Sequence, residues 1–339
     1  MDESFTDSYD FFLPEHLIAK KPAIPADSAK LLVYDRQTKK ITHTVFSELF
    51  KFLDNHTIFL NNTKVIKARV FGAKSTGGKI ELLLNKPVGK FEFLVFIKGR
   101  VKIGDMLYFE NDLKCKILDI NEDGTKIVHF FVKSEMLLDF SKIVEFFEKI
   151  GHIPLPPYID RKDEKSDEKD YQTLFAKYDG SVAAPTASLH FTPQMLESLE
   201  QKFGLNFITL HVGAGTFKPV EAKNLEHHKM HSEYYNIEEN SVNLINSDVK
   251  ILAVGTTVTR TIEYFYRTAK TTGECDLFLN PMNKPQRVDS LLTNFHLPKS
   301  SLIMLVASFV GLEKTMEIYK EAIKNNYRFY SYGDAMLII

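Results

Sequence analysis

The stretch VIKARVFGAKSTGGKIELLLNKPVGKFEFLVFIKGR, residues 65–100, sets short apolar alternations against turn residues, and the same texture continues to residue 132. β-like runs fall at 65–71, 79–84, 91–97, 106–109, 115–120 and 126–132. The breaks carry Gly77-Gly78, Pro87 and Gly89, Gly99, Gly104, Asn111-Asp112 and Asp123-Gly124. Short strands at roughly ten-residue spacing predict a small β-barrel inserted into the chain. Within it GAKSTGGK, residues 72–79, looks like a phosphate-binding P-loop. Ala73 and Ile80 stand where that loop needs Gly and Ser/Thr, so the segment reads as a hairpin turn.

On either side the rhythm changes. Strand-like runs at 31–34 and 57–60 flank a short helix at 46–53. The spacing predicts a helix over 135–150, stopped by Gly151, and then a proline-stiffened strap, GHIPLPPYIDR. Residues 161–170, RKDEKSDEKD, read as a mobile solvent loop. Thr192-Pro193 opens a helix that Gly204 closes, followed by a strand at 205–212. A buried strand at 250–254 runs into Gly255-Thr256-Thr257 and a helix at 258–268, and a further strand is expected at 276–279. Helices after Pro298 and over 312–325 precede an aromatic tail, 327–339, expected in the core. Strands alternating with helices give a layered α/β domain. The expected organisation is a discontinuous α/β catalytic domain, 1–60 with 151–339, and an inserted β-barrel domain, 61–150.

At 339 residues the chain exceeds the size, about 250–300 residues, at which single cores stop growing. With 44% hydrophobic and 26% charged residues it is an ordinary globular composition. No apolar run suits a membrane span, the acidic start MDESFTDSYD is unlike a signal peptide, and the two cysteines, Cys115 and Cys275, form no metal or disulfide framework. A cytoplasmic location is expected. A net charge of −1 argues against bulk nucleic-acid binding but permits a local basic face. Residues 61–105 hold ten Lys/Arg (64, 67, 69, 74, 79, 86, 90, 98, 100, 102) against three acids (81, 92, 105). That excess makes the first half of the barrel the candidate phosphate-facing surface.

Chemistry concentrates at 209–235, TLHVGAGTFKPVEAKNLEHHKMHSEYY. Glycines at 213 and 215 permit close backbone approach to a ligand, and His211, His227, His228, His231 and Glu233 supply proton-transfer groups beside them. Lys218 stands where a dinucleotide fingerprint needs its third glycine, so NAD binding is not expected. His227 and His231 have the spacing of a zinc pair, but there is no HExxH order and a third ligand would come from afar, so no metal is expected. The strand–Gly255-Thr256-Thr257–helix passage and Asn294-Phe295-His296-Leu297-Pro298-Lys299-Ser300 both suit an anion or ribose at a helix start. The glycine turn, the imidazoles and the strand-end threonines are expected to line one shared cavity.

The chain resembles the S-adenosylmethionine:tRNA ribosyltransferase-isomerase family of queuosine biosynthesis. LPEHLIA, LNNTKVIKAR, GHIPLPPYIDR, YQTLFA, VAAPTASLHFT, LHVGAGTFKPV, EHHKMHSE, AVGTT, LLTNFHLPKSSLIMLV and YRFYSYGDAML carry the resemblance from end to end. It departs at Asn62 and Lys64, where the family more often has Asp and Arg, and at Asn280–Asn283, where a Pro-Gly-aromatic turn is usual. The resemblance implies that S-adenosylmethionine donates a ribosyl group as co-substrate, with no cofactor. The acceptor is tRNA carrying 7-aminomethyl-7-deazaguanine (preQ1) at the wobble position, and the products are epoxyqueuosine-tRNA, adenine and methionine. On that basis His211, His231 and Glu233, with His190, are the expected acid–base groups. Gly213, Gly215, Thr216, Gly255, Thr256, Thr257, Asn294 and His296 would bind the donor, and Lys64, Lys67, Arg69, Lys98 and Arg100 the tRNA. No membrane or protein partner is expected. A zinc-dependent hydrolase and a non-catalytic RNA-binding protein are the alternative readings.

Overall fold

The computed structural model describes residues 2–133, 136–217 and 219–339, and for Phe217 the backbone alone. Its strands, numbered along the chain, are β1 (Lys30–Asp35), β2 (Lys40–Val45), β3 (His56–Asn61), β4 (Thr63–Val65), β5 (Arg69–Lys74), β6 (Lys79–Pro87), β7 (Glu92–Lys98), β8 (Met106–Tyr108), β9 (Lys114–Ile120), β10 (Lys126–Val132), β11 (Met136–Leu137), β12 (Tyr178–Ser181), β13 (Asn206–Leu210), β14 (Glu233–Asn236), β15 (Lys250–Val254), β16 (Thr272–Cys275), β17 (Ser290–Asn294) and β18 (Ala335–Ile338). The α-helices are α1 (Phe140–Ile150), α2 (Asp167–Asp170), α3 (Pro193–Phe203), α4 (Glu239–Ile245), α5 (Thr256–Thr268), α6 (Ser301–Val310) and α7 (Leu312–Lys324).

Among the described residues, nine strands form the large sheet, in the order β16-β14-β13-β3-β15-β17-β18-β1-β2. Its centre, β13-β3-β15-β17, is parallel. Such strands are buried on both faces and read as near-continuous apolar runs, which Ile58-Phe59-Leu60 and Ile251-Leu252-Ala253-Val254 display. Alternate residues point to opposite faces. Ile58, Leu60, Leu252 and Val254 pack under α3 with Met195 and Leu199. Phe59, Ile208, Leu210, Ile251 and Ala253 pack under α5 with Val258, Ile262 and Phe265. Helices α6 and α7 cover Leu32, Leu291, Met336 and Ile338, together with the aromatic tail residues Tyr327, Phe329 and Tyr330. The tail is core, as its composition predicted.

The smaller sheet closes on itself. Strands β10-β7-β6-β5-β8-β9 are antiparallel neighbours and β9 pairs back to β10, making a six-stranded barrel that leaves no free edge within the ring. Val70, Leu82, Leu84, Phe93, Val95, Cys115, Ile117, Val128 and Phe130 fill it, and Ile143 and Phe147 of α1 pack onto the same core. The barrel leaves the large sheet at the carboxyl end of β3. Its return is tied down by β12, which pairs in parallel with β4.

Four local expectations are revised. Helix α1 begins at Phe140, because the Asp139 carboxylate accepts the Lys142 N–H at 3.0 Å and caps it there; Glu135, where the predicted helix begins, lies outside the described residues. Residues 161–170 are no loose loop: Asp167 is buried and takes both Arg161 Nη1 and Nη2 at 2.7 Å and the Tyr332 hydroxyl at 3.1 Å. The strand expected at 276–279 lies earlier, at Thr272–Cys275, paired with β14. Strand β17 was not foreseen.

Candidate active site

In open α/β sheets, ligands lodge beyond the carboxyl ends of the strands where the strand order reverses. Here β3 is flanked by the later strands β13 and β15, and the chain emerging from the ends of β3, β13, β15 and β17 carries most of the candidate residues. Two hollows open there. The larger, about 850 Å³, lies between barrel and sheet and is lined by His211, Gly213, Gly215, His231 and Glu233, with Asn85 and Lys86 from β6. The smaller, about 70 Å³, is lined by Thr216, Gly255, Thr256, Thr257, Asn294 and His296. The expected single cavity is therefore two, with the 213–217 turn as the partition. The turn stands there because it folds over Glu233, whose Oε1 accepts the Gly213 N–H at 2.9 Å and the Thr216 hydroxyl at 3.0 Å.

Glu233 is buried, and its Oε2 accepts Arg260 Nη1 at 2.6 Å. Burial pushes its carboxyl pKa up, but the guanidinium, the adjacent His231 and the Gly213 N–H outweigh it and hold the group at about 2. An ionised carboxylate can accept a proton, but one held this low is a weak base, and both Glu233 oxygens are already engaged, so the geometry suits it to orienting its neighbours. His231 Nε2 lies 3.6 Å from Glu233 Oε1 and 3.5 Å from the Thr216 hydroxyl. Its ring rests against Gly215, where an added Cβ would come within 2.9 Å of Cγ. That close approach is what this glycine permits.

His211 takes the Thr63 hydroxyl at Nδ1, 2.8 Å, and stacks on Tyr234. Burial pulls its pKa down to about 4, with Asp179 opposing, so the ring is neutral. His296 is held at about 3 by burial and bonds the Thr293 hydroxyl at 2.9 Å. His190 is set apart from the others. It lies against Phe46, receives Asn294 Nδ2 at 3.3 Å and lines neither hollow, so it touches the site only through Asn294. Burial, then Arg328, lowers its pKa to about 4. Gly255 turns the chain at φ +97°, and α5 begins with its first N–H groups lacking intrahelical partners beside the smaller hollow.

The candidate RNA face divides. Lys67 pairs with Glu168 at 3.2 Å, Arg69 with Glu81 at 3.3 Å and the Leu155 carbonyl at 2.9 Å, and Lys64 with Asp179 at 3.0 Å. These three are engaged within the fold, whereas Lys98 and Arg100 are exposed on the barrel. Among the described residues, no three His, Cys, Asp or Glu side chains gather as a metal site. No helix of the described residues is long and apolar enough to cross a membrane.

Several residues that build the site carry no site signal in the sequence, Lys86 being visible there only as one cation of the basic half-barrel. Asn85 Oδ1 accepts the Ala214 N–H at 3.0 Å, and Lys86 reaches Ser232 Oγ at 3.1 Å and Glu274 at 2.8 Å, so the barrel helps hold the glycine turn. Asn61 joins three elements, accepting the Thr63 and Leu210 N–H groups at 3.1 Å and donating to the Leu210 carbonyl at 2.9 Å and to Thr257 Oγ1 at 3.3 Å. Arg260 is the fourth. Its only trace in the sequence is a lone cation among threonines on the inward-facing helix TTVTRTIEYF.

A family model described as "Queuosine biosynthesis protein" matches residues 6–338. An S-adenosylmethionine:tRNA ribosyltransferase-isomerase of Aliarcobacter butzleri is 61% identical over the whole of both chains. One from Campylobacter fetus is 55% identical over 98% of both. The crystal structure of an S-adenosylmethionine tRNA ribosyltransferase from Thermotoga maritima superposes with a TM-score of 0.55 at 32% identity, covering 98% of this chain and all of that one. With its barrel, its sheet and its motifs matched from end to end, the chain belongs to the S-adenosylmethionine:tRNA ribosyltransferase-isomerase family of queuosine biosynthesis enzymes.

Proposed function

We propose that the chain transfers and isomerises the ribosyl moiety of S-adenosylmethionine onto preQ1 at the wobble position of tRNA, yielding epoxyqueuosine-tRNA, adenine and methionine. The observation that carries this reading is the pair of adjoining hollows at the strand ends, one small and one wide, separated by a turn anchored on an ionised carboxylate. A donor and an acceptor base that react at one carbon need spaces meeting at one wall. The helix start and strand-end threonines of the smaller hollow suit a polar part of the donor, and the wider cleft suits the rest of it with the flipped acceptor base.

The chemistry asks for a base to take the C5′ proton acidified by the neighbouring sulfonium, and for a proton or hydrogen bond to the departing adenine. His231 fits the first demand, since the fixed negative charge of Glu233 stabilises the imidazolium that forms. His211, neutral and anchored by Thr63, fits a hydrogen-bonding role toward adenine or the acceptor amine. The reaction so written balances without a resident cofactor. Of the five candidates Lys98 and Arg100 are favoured for tRNA phosphates, because they are exposed on the barrel while Lys64, Lys67 and Arg69 already form ion pairs within the chain. Adenine release from S-adenosylmethionine, followed with and without preQ1-tRNA, tests the reading. Release that depends on the tRNA and is lost in His231→Ala supports it; no release by the wild type in the presence of preQ1-tRNA refutes it.

A further inference from the structure

We propose that Arg260 is a positioning residue of this reaction, fixing the Glu233 carboxylate so that His231 moves its proton through Nδ1. The inference rests on the reading above. It begins with the division of labour at one carboxylate. Oε2 is taken by Arg260 at 2.6 Å. Oε1 faces the Gly213 N–H at 2.9 Å, the Thr216 hydroxyl at 3.0 Å and His231 Nε2 at 3.6 Å. Arg260 is itself anchored, donating from Nε to the Leu277 carbonyl at 3.0 Å and from Nη2 to the Cys275 carbonyl at 3.1 Å. A guanidinium held by a rigid fork at two carbonyls presents its remaining N–H groups in one direction only. That direction sets the plane of the carboxylate.

The carboxylate in turn sets the imidazole. A neutral imidazole carries one N–H and one lone pair, and the nitrogen facing a carboxylate takes the hydrogen. Nε2 faces the carboxylate and the Thr216 hydroxyl, while Nδ1 has no partner among the described residues and the ring lines the wider cleft. The free lone pair on Nδ1 is thus the base. Once it takes the proton, both nitrogens carry hydrogen, and the positive charge sits beside an ionised carboxylate. Removing Arg260 leaves a buried carboxylate with its principal counter-charge gone. It then protonates and turns, and the tautomer of His231 is no longer dictated. Because Arg260 lies on α5, whose first turn lines the donor hollow, the same side chain ties the base to the donor site.

The test has two independent arms. In the first, the resting wild-type protein, ¹⁵N-labelled at histidine, is examined by long-range ¹H–¹⁵N NMR with His231→Gln as the assignment control. The proton is expected on Nε2 of His231; a proton on Nδ1 overturns the proposal. In the second, adenine release is measured for Arg260→Met, Arg260→Lys and the double variant Arg260→Met/Glu233→Gln, which removes both buried charges and leaves neither orphaned. Arg260→Met and the double variant are expected to lose about 100-fold in kcat, with KM for S-adenosylmethionine changed less than about threefold, the scale of a lost general base. Arg260→Lys, which keeps the charge but not the fork, is expected to recover about tenfold of that loss. A folded Arg260→Met or double variant with kcat within about threefold of wild type overturns the proposal. Wild-type protein that releases no adenine with preQ1-tRNA would sink the functional reading alone, because the tautomer arm needs no turnover.

Discussion

Replacing Gly215 by alanine perturbs the base without touching any charge. The new Cβ would stand 2.9 Å from Cγ of His231 and 3.1 Å from both Cδ2 and Nδ1. Carbon atoms at rest sit about 3.5–4.0 Å apart, so the ring must withdraw by about 0.6 Å. His231 is a partly exposed side chain with room on the cleft side, so the withdrawal is accommodated by the ring and not by the sheet. Stability should fall by less than about 1 kcal/mol, the lower edge of what overpacking costs. The rate should suffer more. A misplacement of about 1 Å costs a factor of about 100, so a shift of about 0.6 Å is expected to cost about tenfold in kcat, or about 1.4 kcal/mol of transition-state stabilisation. Steady-state adenine release with saturating preQ1-tRNA gives kcat, and thermal unfolding of the same preparation gives stability. A Gly215→Ala protein with wild-type unfolding and kcat within twofold of wild type would refute the claim that the ring's seat on this backbone matters.

Other outcomes follow from the same geometry. Glu233, at about 2 against an ordinary value of 4.5, contributes about 3 kcal/mol that is fully present above about pH 4.5 and is lost as pH falls toward 2, about 2 kcal/mol of it by pH 3. The difference in urea-unfolding free energy between wild type and Glu233→Gln should narrow by that amount from pH 6 to pH 3, and a constant difference would show that the folded carboxyl is not depressed. Asp167→Asn breaks a buried bidentate pair with Arg161 and should cost about 3–5 kcal/mol in urea unfolding; a cost below about 1 kcal/mol would mean the pair contributes nothing. Lys98→Glu/Arg100→Glu should weaken tRNA binding and lower the slope of log Kd against log salt by about 1.5, with an unchanged slope removing these residues from the RNA face.

The sequence disclosed the barrel because its evidence is local. A strand of alternating residues ending in Gly or Asn-Asp is legible within ten positions, and each of the six runs overlaps a strand, the first spanning the end of β4 and the start of β5 with residues 66–68 between them. The sheet's parallel centre was legible as apolar runs, yet β17, SLLTN, was missed because Ser290, Thr293 and Asn294 break the apolar pattern while being fully enclosed. The histidines near the glycine turn were visible as a cluster, but their characters were not. Burial decides that His211 stays neutral, and Arg260, 27 positions beyond Glu233, decides that the glutamate stays charged. Likewise nothing local tells Lys98, free on the barrel, from Lys67, spent on Glu168. Contacts made across such separations leave no periodic trace in a single chain.

One strand bears on how the molecule comes to be assembled. Ala335–Ile338 lies between β17 and β1 and supplies the strand pairing by which the Lys30–Val45 hairpin joins the large sheet. The hairpin is made early and this strand last of the nine. During synthesis the barrel has everything it needs to close as it emerges, while the hairpin waits with one long edge unpaired until some three hundred further residues have been added. Completion of the large sheet therefore waits on Ala335–Ile338, and removing those four residues would leave the hairpin edge without its strand partner.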